Sequence, residues 1–345
     1  MASSLIIKVY YAVYTAPRGD PGRLLIVAGY GGHAGYAYSI AWHLASMRYR
    51  ESVILVAKGY EHLVDKFKGL GDVKTLTLPR KPGEPIYKGL HRWVKSALEF
   101  ISLASKLRVG AVFAGGSNFS IPPAIASKAI WRSPVYTLEA IEHFTKRSRA
   151  VVALEKLGAK VFLHWDDQLE LFPRGVVAGP VYEPRIYEPK NEGYVLVTTG
   201  TLGFKELFDA ISTLNLESVV LQTGDVDPRP YIKKHPSWTV FRYTSDIHKW
   251  IAGADLVITQ QGMTAATAAL AYGKPVIIAY NPRVVLGAPR RDVEIYASKL
   301  DANYVDRVDV NTLKAALERV EKPRQVYRAG AEIIAKTLLE HTKTY

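Results

Sequence analysis

Short runs of apolar and β-branched residues, each of strand length, alternate with stretches of helical period along most of this chain. That alternation restricts the fold more than any other feature. Strands separated by helices cannot pair as hairpins, so they pair in parallel, with the helices as crossovers. The first half reads as strands at Arg23–Gly29, Ser52–Ala57, Val73–Leu78, Val109–Ala114, Pro134–Leu138 and Ala159–Leu163. Helices fall between them at Ala34–Met47, Glu61–Lys68, Lys88–Lys106, Ile121–Trp131 and Ser148–Leu157. A stretch rich in proline and charge, GPVYEPRIYEPKNEG, then interrupts the pattern, as an interdomain linker would. The alternation restarts with strands at Tyr194–Thr199, Ser218–Gln222, Thr239–Arg242, Asp255–Thr259 and Pro275–Ala279. Helices are expected there at Phe204–Leu214, Ile247–Ala252 and Thr264–Tyr272. The expected class is α/β, with two doubly wound domains facing each other across a cleft. The expected boundaries are a first domain over 1–180, a linker over 181–193, a second domain over 194–322 and a C-terminal segment over 323–345. A final helix over Gln325–Thr342 is expected to dock back on the first domain.

A chain of 345 residues suits two domains of ordinary size, and no run of eighteen apolar residues is present to cross a membrane as a helix. The opening MASSLIIKVYYAVYTA is broken by Lys8 and lacks the basic start of a signal peptide, so residues 1–16 are expected to attach at an interface. With no cysteine, disulfide and thiolate chemistry are excluded. Six Asn and five Gln beside abundant Arg, Lys and Glu fit a thermophilic, intracellular origin. The formal charge of +13 is uneven: residues 1–180 hold 24 Lys and Arg against 13 Asp and Glu, and the remainder hold 21 against 19. The first half is therefore expected to meet something anionic, be it a nucleic acid, a membrane surface or a diphosphate.

In doubly wound sheets, ligands gather where strands end and helices begin, because helix N-termini present unpaired N–H groups. Four Gly-rich junctions stand at such places. LLIVAGYGGHAG carries Gly29, Gly31, Gly32, His33 and Gly35, and AVFAGGSNFSIPPA carries Gly115, Gly116, Ser117 and Asn118 before a helix that opens with two prolines. YVLVTTGTLGF carries Gly200, Thr201 and Gly203, and ADLVITQQGMTAAT carries Gly262, Met263 and Thr264. The last two lie in one domain and suit the phosphates of a nucleotide diphosphate. His33 has two readings. Its imidazole titrates near neutrality and can take a hydroxyl proton, or it caps the helix and touches a phosphate. Ser117 and Asn118 read equally well as ligand contacts and as turn residues.

Several chemistries are missing. No Gly-Lys-Ser/Thr closes a P-loop, no Gly-x-Ser-x-Gly elbow occurs, and no HxxxH pair offers a metal site. His143, beside Glu139 and Glu142, reads as part of a solvated helix-start cluster rather than a metal site. In the expected helix 88–106, Leu90, Val94, Ala97, Ile101 and Ala104 share one face, which reads as ordinary core packing opposite a basic face.

Taken together the junctions resemble a known family. GYGGH at 29–33 resembles the GGxGGH loop of the MurG-type UDP-GlcNAc transferases. A closer resemblance is to the eukaryotic two-subunit enzyme that adds the second GlcNAc to dolichyl-diphosphate-GlcNAc. Its membrane-anchored subunit is similar to residues 24–182, through GGH, GGSNFSIPPAIASKA, VYTLEAIEHF and VFLHWDDQLELFPRGVVAGPV. Its donor-binding subunit is similar to residues 194–305, through VTTGT, ADLVITQQG and GKPVIIAYNPR. The chain thus resembles single-chain archaeal fusions of the two parts.

The resemblance implies a GT-B fold of two Rossmann-like domains and metal-independent, inverting transfer of GlcNAc from UDP-GlcNAc in a β-1,4 link. Carried over by position, His33 is the base for the acceptor hydroxyl, and Glu139 orients it or binds the acceptor sugar. Gly31 and Gly32 face the acceptor diphosphate, with Gly116, Ser117 and Asn118 beside them. Gly200 and Thr201 form the donor phosphate loop, Tyr243 lies beside the uracil, and Gly262, Met263 and Thr264 lie near the donor diphosphate. Arg291 and Asp292 fall closest to the pair that meets the donor sugar, and Arg283 or Arg291 would help stabilise the leaving diphosphate. Two positions depart from the pattern: Ala268 stands where the family carries a ribose-binding Glu, and Arg291-Asp292 replaces a His-Gln or Gln-Gln pair. No cofactor and no metal are implied. The implied partners are a UDP-sugar, a lipid-diphosphate-linked acceptor and the inner face of the cell membrane, approached from the cytoplasm, with no nucleic acid. The rivals are a different UDP-hexose or acceptor, a UDP-GlcNAc 2-epimerase of the same fold, and a basic nucleic-acid-binding protein. The last lacks an aromatic RNA-binding motif and a helix-turn-helix.

Overall fold

In the computed structural model, which describes residues 22–81, 84–105, 108–284 and 288–342, the alternation resolves into two parallel sheets. The N-terminal segment 1–16, expected at an interface, lies outside the described residues. Clustering of contacts divides the chain into two units. The first takes the residues through Ala140, Arg147–Val181 and the residues from Ala329 on; the second takes Ile141–Lys146 and Tyr182–Arg328.

The first unit contains β1 (Arg23–Gly29), α1 (Gly32–Ser46), β2 (Val53–Ala57), α2 (His62–Lys66) and β3 (Asp72–Leu76). A 3₁₀ turn at Ile86–Gly89 leads into α3 (Leu90–Ala104), followed by β4 (Val109–Ala114), α4 (Ile121–Trp131) and β5 (Val135–Leu138). Next come α5 (Arg149–Lys156), β6 (Lys160–Leu163) and the two-residue β7 (Val176–Val177). The second unit contains β8 (Val195–Thr198), α6 (Lys205–Ile211), β9 (Val219–Gln222), α7 (Arg229–Lys234), β10 (Thr239–Phe241), α8 (Ile247–Gly253) and β11 (Leu256–Gln260). It continues with α9 (Met263–Ala266), a π-helical turn at Thr267–Ala271, β12 (Val276–Ala279), α10 (Arg290–Lys299), β13 (Asn303–Val305) and α11 (Val310–Arg319). The chain then returns to the first unit as α12 (Gly330–Leu339), which packs on α1.

Both sheets are wholly parallel and share one order, β3-β2-β1-β4-β5-β6-β7 and β10-β9-β8-β11-β12-β13. Helices cover the two faces of such a sheet, so its central strands are buried on both sides and read as unbroken apolar runs. Leu24–Ala28 of β1 and Val53–Ala57 of β2 are accordingly all buried. In each unit the strand order reverses beside the first strand, between β1 and β4 and between β8 and β11. Register pairs Ile26 with Phe113 in one and Val197 with Ile258 in the other. All four Gly-rich junctions follow these four strands, so all four sit at the switch points where open α/β sheets bind ligands.

Three expectations change. Helix α3 does not bury the face that its apolar residues suggest. Ser96, Phe100 and Ala104 face the core, whereas Leu90 is 64% exposed and Val94 56%. The apolar arc of α3 is wider than the arc its neighbours cover, so one edge of it remains at the surface. His143 is not part of a solvated helix start: it is buried, and residues 141–146 form turns folded into the second unit. The last helix begins at Gly330, not Gln325, because the amides of Arg324 and Gln325 donate to the Asp301 carboxylate at 2.8 and 2.9 Å and leave the helical path. Residues 182–193 are also more than a tether. The amide of Lys190 donates to Ala252 and that of Glu192 to Gly253, which fastens the stretch to the end of α8.

Candidate functional site

In the first unit, β1 ends at Gly29 in the left-handed region (φ +68°), and Gly31 (φ +59°) is the N-cap of α1. Added Cβ atoms at Gly31 and Gly32 would meet nothing within 4 Å, so this turn is open on its outer side. At the adjacent strand end the constraint is steric. A Cβ on Gly116 (φ +81°) would lie 2.6 Å from the Leu138 carbonyl oxygen, and one on Gly115 would lie 2.8 Å from that of Val27. Only glycines allow the two loops this close an approach.

That approach positions His33. Its Nδ1 stands 2.5 Å from the Gly115 carbonyl oxygen, which can only accept, so Nδ1 carries a proton and, in the neutral ring, Nε2 has the lone pair. A histidine held in this tautomer, half-buried at a helix start, has the form of a general base. One partner that orients it is this backbone carbonyl. Glu139 is fully buried at the end of β5, and its carboxylate accepts from the Ala140 amide at 2.8 Å and from the amide and hydroxyl of Ser148. It thereby fixes the loop before α5. Ser117 and Thr137 are buried with unpartnered hydroxyls, and Asn118 starts a 3₁₀ turn before the prolines of α4. Structure therefore brings His33, Gly31, Gly32, Gly116, Ser117 and Asn118 to one sheet edge, with Glu139 at the next strand.

In the second unit, Gly200 (φ +74°) and Gly262 (φ +131°) are likewise open, with nothing within 4 Å of an added Cβ. Their loops are joined by an amide lattice. Gln260 donates to the Thr199 carbonyl at 2.9 Å and accepts from the Asn281 side chain at 2.7 Å. Gln261 exchanges two hydrogen bonds with the Asn281 backbone. Tyr296 donates to the Gly262 carbonyl at 2.8 Å and holds the turn from beneath. The next loop packs as tightly: a Cβ on Gly203 would lie 2.4 Å from the Thr223 carbonyl oxygen, and the Asp225 amide donates to Thr201. Met263 is buried and Thr264 half-buried at the start of α9. Tyr243 is half exposed in the loop after β10, and burial together with the Glu183 charge raises its phenol pKa.

Arg291 and Asp292 part company. Arg291 is exposed, whereas Asp292 is fully buried and accepts from the Phe144 amide at 2.8 Å and from the Thr145 amide and hydroxyl at 3.0 and 2.7 Å. Arg283 pairs with Glu206 at the start of α6. The lattice of Gln260, Gln261 and Asn281 was not singled out from the sequence, although two consecutive glutamines in a chain with five were a signal. The Gly115 carbonyl that orients His33 gave none. Among the described residues, no group of three or more His, Cys, Asp or Glu is placed to hold a metal ion, and no helix is long and apolar enough to cross a membrane.

Known proteins give these sites a context. Residues 194–342 match the glycosyltransferase family 28 C-terminal domain. Over 102 residues the chain is 29% identical to the human UDP-N-acetylglucosamine transferase subunit ALG13, a stretch that covers 26% of this chain and 9% of that protein. Among solved structures it resembles MurG of Acinetobacter baumannii, with a TM-score of 0.59 and 15% identity over 92% of this chain and 99% of that one. It also resembles a putative UDP-N-acetylglucosamine 2-epimerase of Listeria monocytogenes (TM-score 0.61, 15% identity, 92% and 96% of the two chains). A third likeness is to a UGT transferase of Siraitia grosvenorii in complex with UDP (TM-score 0.54, 10% identity, 93% and 94%). At such identities the likeness speaks to fold alone, and that fold serves transferases and an epimerase alike. Residues 194–342 match the glycosyltransferase family 28 C-terminal domain, and the two parallel-sheet units have the fold of the GT-B glycosyltransferases.

Proposed function

We propose that this protein is an inverting glycosyltransferase that moves GlcNAc from UDP-GlcNAc to a GlcNAc carried on a lipid diphosphate, forming a β-1,4 link. The observation that carries the reading is His33, an imidazole whose Nδ1 proton is held by the Gly115 carbonyl, at the switch point of the unit outside the region that matches the family 28 C-terminal domain. Nε2 would take the proton of the acceptor hydroxyl as that oxygen attacks the anomeric carbon and the bond to UDP breaks. The departing diphosphate would be met by the backbone N–H groups of the Gly200 and Gly262 loops, which supply positive potential without a metal. Those loops lie in the region matching the family 28 C-terminal domain, and the human relative bears a UDP-N-acetylglucosamine transferase name, which supports the donor.

The acceptor's lipid is supported by the surface of the first unit. Leu90, Val94 and Leu98 form an exposed apolar stripe on α3, beside exposed His91 and Lys95. Glu99, the acid on this helix, turns to Lys58 and Thr77. An apolar stripe flanked by cations suits the headgroup region of an anionic bilayer. The protein would act there from the cytoplasmic side as a peripheral protein.

The test is incubation with labelled UDP-GlcNAc and a synthetic lipid-diphosphate-GlcNAc, in the presence of excess chelator, with mass spectrometry of the products. A lipid-linked disaccharide is expected. A C2-epimerised UDP-sugar with unchanged acceptor would overturn the reading in favour of the epimerase, and dependence on added divalent metal would overturn the metal-free mechanism.

A further inference from the structure

One buried imidazole outside the reacting groups has its hydrogen bonds fully determined. His164 follows β6 and is 1% exposed. Its Nδ1 accepts the Val181 amide proton at 2.9 Å, so Nδ1 bears no hydrogen. Its Nε2 stands 3.0 Å from the Glu139 carbonyl oxygen, which can only accept, so Nε2 bears the hydrogen. Each bond demands the same neutral tautomer. Burial reinforces it by pushing the imidazole pKa down to about 3, against a smaller upward pull from the Glu139 carbonyl.

The neighbours of this ring give it significance. Ala140 and Val181 are the last residues of the first unit before the chain passes into the second, once into the excursion 141–146 and once into 182–328. The Gln168 side chain accepts from the His164 amide at 2.8 Å and donates to the Ala140 carbonyl at 2.9 Å. His164 and Gln168 therefore hold both departure points from within the first unit. On its other side, His164 lies against Tyr36, with ring centroids 5.3 Å apart, and Tyr36 lies 6.2 Å from the ring of His33. Tyr36 belongs to the same helix as His33, one turn on.

We propose that His164 is a positioning residue, clamping the backbone at Glu139 and Val181 through its two ring nitrogens and, through Tyr36, setting the seat of His33. It touches no reacting atom. Removing it frees the Val181 amide and the Glu139 carbonyl, and the first unit loses the fixed frame in which His33 and the loop capped by Glu139 sit. The effect on turnover rests on the transferase reading above; the effect on the backbone does not.

Three variants of the full chain separate the two ring nitrogens. An asparagine oxygen takes the place of Nδ1, so His164→Asn keeps an acceptor for Val181. A glutamine amide takes the place of Nε2, so His164→Gln keeps a donor for Glu139. His164→Phe keeps the ring and loses both. Hydrogen exchange, read by mass spectrometry on the peptide containing Val181, is expected to quicken about tenfold in H164F, the equivalent of one hydrogen bond, and to recover in H164N. Turnover in H164F is expected to fall by about tenfold or more, with KM for the UDP-sugar unchanged, because misplacement of a reacting group costs rate. Unchanged exchange at Val181 in H164F would overturn the clamp, as would faster exchange in H164N than in H164F. Full turnover in H164F with Val181 released would overturn its link to His33. Absence of transfer by the wild type would refute the transferase reading and leave the exchange result to decide the clamp.

Discussion

The His164 assignment makes a quantitative statement about stability and pH. Folding lowers the pKa of this imidazole from 6.5 to about 3, so the folded state favours the neutral ring. The sign follows directly: the contribution is fully present above pH 6.5 and is lost as pH falls toward 3, because the unfolded chain then binds a proton that the folded one refuses. For a group with these two pKa values, linkage gives a loss of about 2 kcal/mol between pH 7.5 and pH 5. Wild-type stability alone cannot isolate that loss, since His43 and His341 are also depressed by burial and the carboxylates titrate below them. The difference between wild type and H164F does isolate it. Phenylalanine cannot protonate, so the cost of the substitution should shrink by about 2 kcal/mol on going from pH 7.5 to pH 5. Urea titration at both pH values reads this as a narrowing of the gap between midpoints by about 1 M, at a slope of about 2 kcal/mol per molar. The two units give separate transitions if they unfold independently, and the shift belongs to the one that moves with the mutation. A gap constant to within about 0.5 kcal/mol would mean that His164 titrates normally when folded, and then its Nδ1 is not the acceptor of the Val181 amide.

Four further outcomes follow from particular contacts. His33→Ala should lower kcat by about 10²- to 10⁴-fold, the usual worth of a general base, while calorimetry shows UDP binding unchanged; near-normal turnover would remove His33 from the chemistry. Gly116→Ala should destabilise the first unit by about 2 kcal/mol or more, because it combines a left-handed backbone with a Cβ 2.6 Å from the Leu138 carbonyl, and a thermal midpoint equal to wild type would contradict the packing. Asp292→Ala should cost about 2–3 kcal/mol, since three donors at Phe144 and Thr145 lose a buried acceptor; a raised KM for the UDP-sugar at full stability would instead make Asp292 a donor-sugar contact. The double variant Leu90→Asp, Val94→Asp should weaken flotation with phosphatidylglycerol vesicles by about thirtyfold to a thousandfold, at about 1–2 kcal/mol for each of the two apolar side chains withheld from the interface. Unchanged flotation would take the membrane face away from α3.

The fold was legible because its signal is redundant. Every strand of four residues or more near a sheet centre is covered on both faces, so its apolar run stands out against the polar turns that end it. The β7 pair escaped for the opposite reason: two residues on a sheet edge carry too few side chains for any period to show. The face of α3 was misread through a different physical limit. Periodicity reports which residues are apolar, not how wide an arc the neighbouring elements cover, and the apolar arc here exceeds the covered one. A helix whose apolar arc is fully covered and one with part of that arc at the surface have the same spacing in sequence.

The site divides along the same line between local and nonlocal information. Glycines announce themselves because a turn with positive φ or a 2.6 Å approach excludes other residues at that position whatever lies across from it. Histidine also announces itself by type. What sequence does not carry is the partner of each polar side chain, since Gly115 is 82 positions from His33 and Asp292 is 147 from Thr145. Glu139 illustrates the consequence. Its carboxylate accepts from Ala140 and Ser148, and the imidazole of His33 meets the Gly115 carbonyl, and neither pairing is written in the spacing of the residues. Because a carbonyl can only accept, it holds a proton on Nδ1 of His33. The loop glycines that admit the Gly115 carbonyl so close to His33 are therefore part of how the imidazole is held, not only of the shape of the loop.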